Sequence, residues 1–319
     1  MIKCVAIAGP TASGKTSLSV SMAGCFGGEI VNCDSMQIYK YMNIGTAKPT
    51  IEERCGIRHH MLDFLAPDQP FSAELYRAGA MAAISDINSR GVLPFIVGGT
   101  GLYLDTLIRV PTPDVPQSER EYRDKILAGI KCEDDILALW QRLVEIDPRS
   151  AEKIHKNNVK RVIRALEIYD ATGKPKSYWD AMTVDKKSEL DVLITVLDFH
   201  DRQMLYDRID KRVDIMFDMG LVDEVTSLYS GGYLDPSATA SSAIGYKELV
   251  SYIEGKCTID EAKDEIKLAS RRYAKRQLTW FRHESDAVVV YMDDGCGKMR
   301  SSDSVISEMS GVITDFLKR

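Results

Sequence analysis

Gly9, Pro10, Thr11, Ala12, Ser13, Gly14, Lys15 and Thr16 follow directly on the apolar run Cys4-Val5-Ala6-Ile7-Ala8 and precede a helix-forming stretch from Ser17 to Met22. This is the G-x-x-x-x-G-K-[ST] spacing of a phosphate loop, in the strand-then-helix setting that gives the motif meaning. Glycines let backbone N–H groups turn onto phosphate oxygens, Lys15 adds a point charge, and the Thr16 hydroxyl can reach a magnesium ion. The helix that follows points its positive end at the same anion. The chain therefore binds a di- or triphosphate, and its other reactive groups decide what becomes of it.

Asp34 closes a second apolar run in Asn32-Cys33-Asp34-Ser35-Met36-Gln37. A carboxylate there faces the phosphate loop and can take a proton from an incoming nucleophile; a helix cap or a contact to magnesium-bound water are the alternatives. Ser35 and Gln37 carry the donor and acceptor sets that read a base edge. The run Leu93 to Val97 ends in Gly98-Gly99-Thr100, where a nucleotide hydrolase would commonly place an aspartate. Thr100 can hydrogen-bond but is no strong base, which weighs against ATP hydrolysis. Arg208 and Arg212, four residues apart, share a helix face and can clamp a leaving diphosphate; a solvated face paired with Asp207 and Asp214 is the other reading. His59-His60 has no metal-ligand spacing around it and reads as structural.

These groups need a scaffold. Ile30 to Cys33, Leu93 to Val97, Val192 to Phe199 and Ala287 to Met292 read as further buried parallel strands, separated by helical patterns such as Ser72 to Ser89. The fold class is α/β: a P-loop NTPase-like parallel sheet flanked by helices, with ligands at the carboxyl ends of the strands. Val110 to Pro116 is a proline-stiffened linker. Beyond it, Ser118 with Glu121 forms a capping box, Asp134 to Ile146 is amphipathic, and Asn157 caps a helix ending at Gly173. Residues 112–185 are expected to form an all-helical insertion, with 1–111 and 186–319 as the catalytic core.

Of 319 residues, 45% are hydrophobic and 28% charged, an ordinary globular balance with no apolar run long enough for a membrane span. The start of the chain shows no signal-peptide pattern, so the expected compartment is the cytoplasm. Seven cysteines without a C-x-x-C pair read as free thiols. The net charge of −6 hides an asymmetry: Lys267 to Arg282 holds six basic residues and no acidic one, and Lys153 to Lys176 holds seven against Glu167 and Asp170. Lys160, Arg161 and Arg164 lie opposite Val162, Ile163 and Leu166 on one helix. Lys267, Arg271, Lys275 and Arg282 share a face of another, flanked by Arg272 and Arg276. Such stripes are often solvated faces; two of them on an acidic chain favour a phosphate backbone as partner.

Taken together, the phosphate loop, Asp34-Ser-Met-Gln37, Gly45-Thr-Ala-Lys48-Pro49, Gly98-Gly-Thr-Gly-Leu-Tyr103, Asn158 to Glu167, Ala243-Ile-Gly-Tyr-Lys-Glu-Leu249 and Ala274-Lys-Arg-Gln-Leu-Thr-Trp-Phe-Arg282 resemble the tRNA dimethylallyltransferase family, in its bacterial form. The resemblance spans nearly the whole chain. It implies transfer of a five-carbon unit from dimethylallyl diphosphate to N6 of adenine 37, beside the anticodon of tRNAs reading codons that begin with U, with release of diphosphate. On that reading Gly9 to Thr16 hold the donor's diphosphate, Thr16 touches Mg2+, and Asp34 is the base, with Thr100 and Arg208 or Arg212 near the reacting groups. Asp34, Ser35, Met36, Gln37, Thr100, Arg120, Lys160, Arg161, Arg164, Lys275, Arg276, Gln277 and Arg282 would meet the tRNA anticodon stem-loop, and the helical insertion would serve as a second jaw. No membrane and no obligate protein partner is implied. A small-molecule kinase, an enzyme prenylating free AMP and a non-catalytic RNA-binding module remain as alternatives. The basic stripes argue against the first two, and the Lys15, Thr16 and Asp34 cluster against the third.

Overall fold

A computed structural model describes residues 1–109, 120–183, 188–236, 238–284 and 286–319. The Val110 to Pro116 linker and the Ser118 half of the expected capping box lie outside them. The chain divides into two compact units, residues 1–108 with 189–319, and residues 109–188.

The first unit is built on one parallel sheet with strand order β3-β2-β4-β1-β5-β6. Its strands are β1 (Ile2–Ala8), β2 (Glu29–Asn32), β3 (His59–His60), β4 (Pro94–Gly98), β5 (Leu190–Asp198) and β6 (Val288–Tyr291). Five of these answer the apolar runs. The sixth, β3, is the edge pair His59–His60, where Ile30 pairs with His59 and Val31 with His60. Two residues leave no periodicity to read, and the strand exists only through its neighbour.

Alternation along β1 serves both faces of the sheet. Cys4, Ala6 and Ala8 pack with Val31, Ile96, Tyr76 and Ile84 beneath α2 (Ala73–Ser89) and α3 (Gly101–Ile108). Val5 and Ile7 pack with Ile30, Phe95, Met309 and Ile313 beneath α1 (Lys15–Phe26) and α13 (Ser302–Lys318). Strands buried on both sides read as the continuous apolar runs that parallel sheets require. The Ser72 side chain caps α2 as its position suggests. A helical layer of α9 (Arg202–Asp218), α10 (Leu221–Ser230), α11 (Tyr246–Ile253) and α12 (Ile259–Phe281) packs around Val213, Val225, Leu249 and Ile266 and encloses Ile38, Tyr39 and Met42.

The second unit comprises α4 (Arg120–Gly129), α5 (Glu133–Ile146), α6 (Pro148–Lys153), α7 (Val159–Thr172) and α8 (Lys176–Thr183), packed on Leu143, Ile154, Val162 and Leu166. Its limits fall three residues outside the expected 112–185. The cap of α7 is Asn158, one residue after the expected Asn157, and its side chain makes no capping bond; Gly173 ends the helix in a left-handed conformation. All seven cysteines are free. No helix among the described residues is long and apolar enough to cross a membrane.

Candidate active site

The phosphate loop turns from β1 into α1. Gly9 takes φ +145°, and a Cβ there would stand 2.8 Å from the Leu197 carbonyl oxygen, so only glycine fits. Ala12 is also held left-handed, at φ 61°. No side chain caps α1, which leaves the N–H groups of its first turn available to an anion. The Ser13 hydroxyl is fully buried within the loop and has no hydrogen-bond partner among the described residues. A native fold seldom leaves such a group unpaired without a use for it. Lys15 donates from Nζ to the Pro10 carbonyl at 2.6 Å. Burial, and then the charge of Arg212, lower its pKa to about 7 against the pull of Asp34.

Two guanidinium groups reach the loop from α9. Arg208 Nε donates to the Ala12 carbonyl at 2.9 Å, and Arg212 to the Thr11 hydroxyl at 3.4 Å. Asp207 accepts instead from Gln203, and Asp214 pairs with Lys263 and Lys267. The pairing that would have made Arg208 and Arg212 a plain solvated face is absent.

Asp34 lies at the carboxyl end of β2. Its Oδ1 accepts from the backbone N–H of Met36 at 2.9 Å and of Gln37 at 3.4 Å. Its Oδ2 has no hydrogen bond among the described residues. The carboxylate thus fastens its own turn with one oxygen and keeps the other for a proton or a metal-bound water. Thr100 supports this turn: its hydroxyl accepts from Ser35 N at 3.0 Å and donates to Ser35 Oγ at 3.3 Å. Gln37 is less free than its sequence suggests, because Nε2 donates to the carbonyls of Thr46 and Ala47, each at 3.1 Å.

Thr11 to Thr16, Asp34 to Gln37, Arg208, Arg212, Arg276 and Gln277 all line one cavity of about 950 Å³. Among the described residues no three His, Cys, Asp or Glu side chains cluster as a metal site. Magnesium needs no such cage, since it keeps waters and takes phosphate oxygens with one or two protein oxygens. The Thr16 hydroxyl, without a hydrogen bond among the described residues, and the open Asp34 oxygen fit that demand.

Against this geometry, the family model for IPP transferase matches residues 37–284, and that for isopentenyl transferase residues 2–68. The chain belongs to the IPP transferase family. It is 44% identical over 313 residues to a tRNA dimethylallyltransferase of Thermoanaerobacter sp. (strain X514), covering 97% of this chain and 98% of the relative. The solved tRNA isopentenylpyrophosphate transferase of Bacillus halodurans superposes with TM-score 0.74 at 40% identity, over 100% of this chain and 97% of that one. A eukaryotic dimethylallyltransferase acting on tRNA superposes with TM-score 0.80 at 31% identity, over 99% of this chain and 80% of that one.

Within this IPP transferase chain the remaining candidate residues fall into distinct settings. Gln277 is buried and bridges two loops: Thr11 N donates to its Oε1, and its Nε2 donates to the Gly99 carbonyl, both at 2.9 Å. It is a strap between the phosphate loop and the end of β4, and it lines the cavity as well. Arg276 lies over the Tyr273 ring. Lys275 and Arg282 line a separate recess of about 260 Å³ with Arg202 and Tyr206, and Arg282 stands 3.5 Å from Asp198. The amino-terminal half of the same stripe is neutralised within the protein, because half-buried Lys267 pairs with Asp214 and Arg271 with Asp210 across to α9. On α7, Lys160 and Arg161 are exposed, whereas Arg164 pairs with the buried Glu167 at 2.7 Å. Arg120 opens α4, and its side chain lies outside the described residues. Two groups escaped the sequence reading. Burial, and then the charge of Asp34, raise the Tyr273 phenol in the cavity wall. Glu224 on α10 carries no motif, and only tertiary structure reveals what it holds.

Proposed function

We propose that this chain transfers a dimethylallyl group from dimethylallyl diphosphate to the exocyclic N6 of adenine 37 in tRNA, releasing diphosphate. The observation that carries this reading is one cavity in which an anion cradle (Ser13, Lys15, Arg208, Arg212) faces a carboxylate with a free oxygen, Asp34, while β4 ends in Gly98-Gly99-Thr100 without an acid.

The N6 lone pair forms a bond to C1 of the donor as the C1–O bond breaks, and that electron pair leaves on the diphosphate. An exocyclic adenine amine is a weak nucleophile, so loosening of the C1–O bond must lead. Lys15, the Ser13 hydroxyl and the arginines aim donors at the leaving oxygens, where negative charge grows. Thr16 would hold Mg2+, which would supply charge neutralisation of the diphosphate. Asp34 takes the proton that N6 gives up. Thr100 and Ser35 keep the Asp34 turn in place. Adenine must leave its stack to enter the cavity, a few kcal/mol that contacts to the flanking loop offset. Exposed Lys160 and Arg161 on α7, with Lys275 and Arg276 on α12, supply cations suited to that RNA backbone.

Incubation of the protein with Mg2+, labelled dimethylallyl diphosphate and total tRNA tests the reading, with label expected in RNA. Phosphoryl transfer from ATP to a metabolite, with the isoprenoid ignored, would overturn it.

A further inference from the structure

Asn43, Ile44 and Gly45 are consecutive residues whose backbone N–H groups all donate to one side chain, the Glu224 carboxylate of α10. The distances are 2.9 Å from Asn43, 2.9 and 3.1 Å from Ile44 to the two oxygens, and 3.2 Å from Gly45. The Tyr246 hydroxyl donates to the same carboxylate at 2.7 Å. Hydrogen bonds to an ionised acceptor are the strong ones, and here four donors share it. Gly45 lies against the Tyr246 ring, where a Cβ would come within 2.5 Å of Cε2. The far end of the loop is fastened by buried Lys48, whose Nζ donates to Tyr39 O at 2.6 Å, Asn43 Oδ1 at 3.0 Å and Asp63 Oδ1 at 2.7 Å. Between these two clamps Ala47 is held at φ 46°, a left-handed conformation that alanine resists.

This clamped turn offers two carbonyls to the cavity wall, those of Thr46 and Ala47, and both accept from Gln37 Nε2. A carbonyl oxygen can only accept, so the amide nitrogen of Gln37 is bound to that side, and its Oε1 has no hydrogen bond among the described residues. Gln37 lines the cavity with Asp34. The group it has free there is therefore an acceptor. An acceptor matches the N6 amine of adenine and opposes the O6 carbonyl that guanine or hypoxanthine shows at the same place.

We infer that Glu224 is a positioning residue: by holding Asn43 to Gly45 it fixes the polarity of the Gln37 amide, and so the preference for a nucleobase with an exocyclic amine over one with a carbonyl. The inference rests on the nucleobase-transfer reading above, and it extends that reading to a group that touches no substrate.

The test measures binding of two anticodon stem-loop RNAs, one with adenosine and one with inosine at position 37, to wild type, Glu224→Gln, Glu224→Asp and Tyr246→Phe. Wild type should favour adenosine by about tenfold or more, the scale on which a hydrogen-bonding site rejects a mismatched edge. Glu224→Gln should cut that preference to about threefold or less while retaining affinity for inorganic diphosphate. Glu224→Asp should recover part of it. Tyr246→Phe, which keeps the ring against Gly45, should fall between, and it carries the test should Glu224→Gln fail to fold. An undiminished preference in folded Glu224→Gln or Tyr246→Phe overturns the inference. So does a parallel loss of diphosphate affinity, the mark of a general structural role. A wild type that transfers label to RNA yet does not distinguish the two RNAs also overturns it, with the transfer reading intact. A wild type that transfers no label removes both.

Discussion

Asp34 is bound to its turn through Oδ1 alone, so the two roles open to this residue are separable by substitution. In Asp34→Ala the N–H groups of Met36 and Gln37 lose an acceptor that cavity water can replace. RNA affinity should stay within a few-fold of wild type, while single-turnover transfer falls by roughly 10²-fold or more, the scale for removing a general base. Unchanged turnover would take Asp34 out of the reaction. Lys15 gives a second handle at this scale. Its pKa is lowered to about 7 in the free protein by burial and Arg212, so near pH 8 most of this side chain is neutral. A bound diphosphate favours the ammonium form and raises that value. Binding at pH 8 should then take up protons, affinity should weaken as pH rises above about 7, and neither effect of this lysine should remain near pH 6. Calorimetry in buffers of different ionisation enthalpy reads the uptake directly. An uptake at pH 8 equal to that of Lys15→Met would refute the assignment.

On α12 the side chain that ties elements together is Gln277. Gln277 joins the phosphate loop to the end of β4 through Thr11 N and Gly99 O. Gln277→Leu keeps the volume but removes both hydrogen bonds, leaving Thr11 N–H and the Gly99 carbonyl unpaired. A buried polar group left unpaired costs about 1–3 kcal/mol, so the variant should melt several degrees lower and bind diphosphate more weakly. An unaltered melt would show the strap to be dispensable. The same helix shows where the sequence stops being legible. Spacing revealed the phosphate loop because the motif is local, and five strands because burial on both faces writes itself as unbroken apolar runs. The stripe Lys267, Arg271, Lys275, Arg282 was equally visible, but periodicity tells which residues share a face and not what that face meets. Half of it meets Asp210 and Asp214, an i,i+4 pair on α9 that no local pattern links to α12. The strap made by Gln277 and the clamp made by Glu224 were hidden for the same reason, since they act on backbone groups 266 and about 180 residues away.

For the whole molecule the question is how a chain of net charge −6 binds a polyanion. Distribution answers it: attraction depends on which cations remain unneutralised at the surface, not on their sum. Lys160 and Arg161 are exposed on α7, whereas Val162 and Leu166 on its other side pack in the core of their unit. Lys267 and Arg271 are already satisfied within the protein. The two pairs should therefore respond differently to the same change. Lys160→Ala with Arg161→Ala should weaken RNA binding and flatten the plot of log affinity against log salt by about 1.5 units, from the release of about 0.7–0.9 counterion per lost phosphate contact. Stability and diphosphate affinity should hold. Lys267→Ala with Arg271→Ala should leave that slope in place and cost about 1 kcal/mol or less of stability, the value of partly exposed ion pairs. If the slope changed only in the second pair, RNA would have to displace the α9 carboxylates, and α12 rather than α7 would be the electrostatic face.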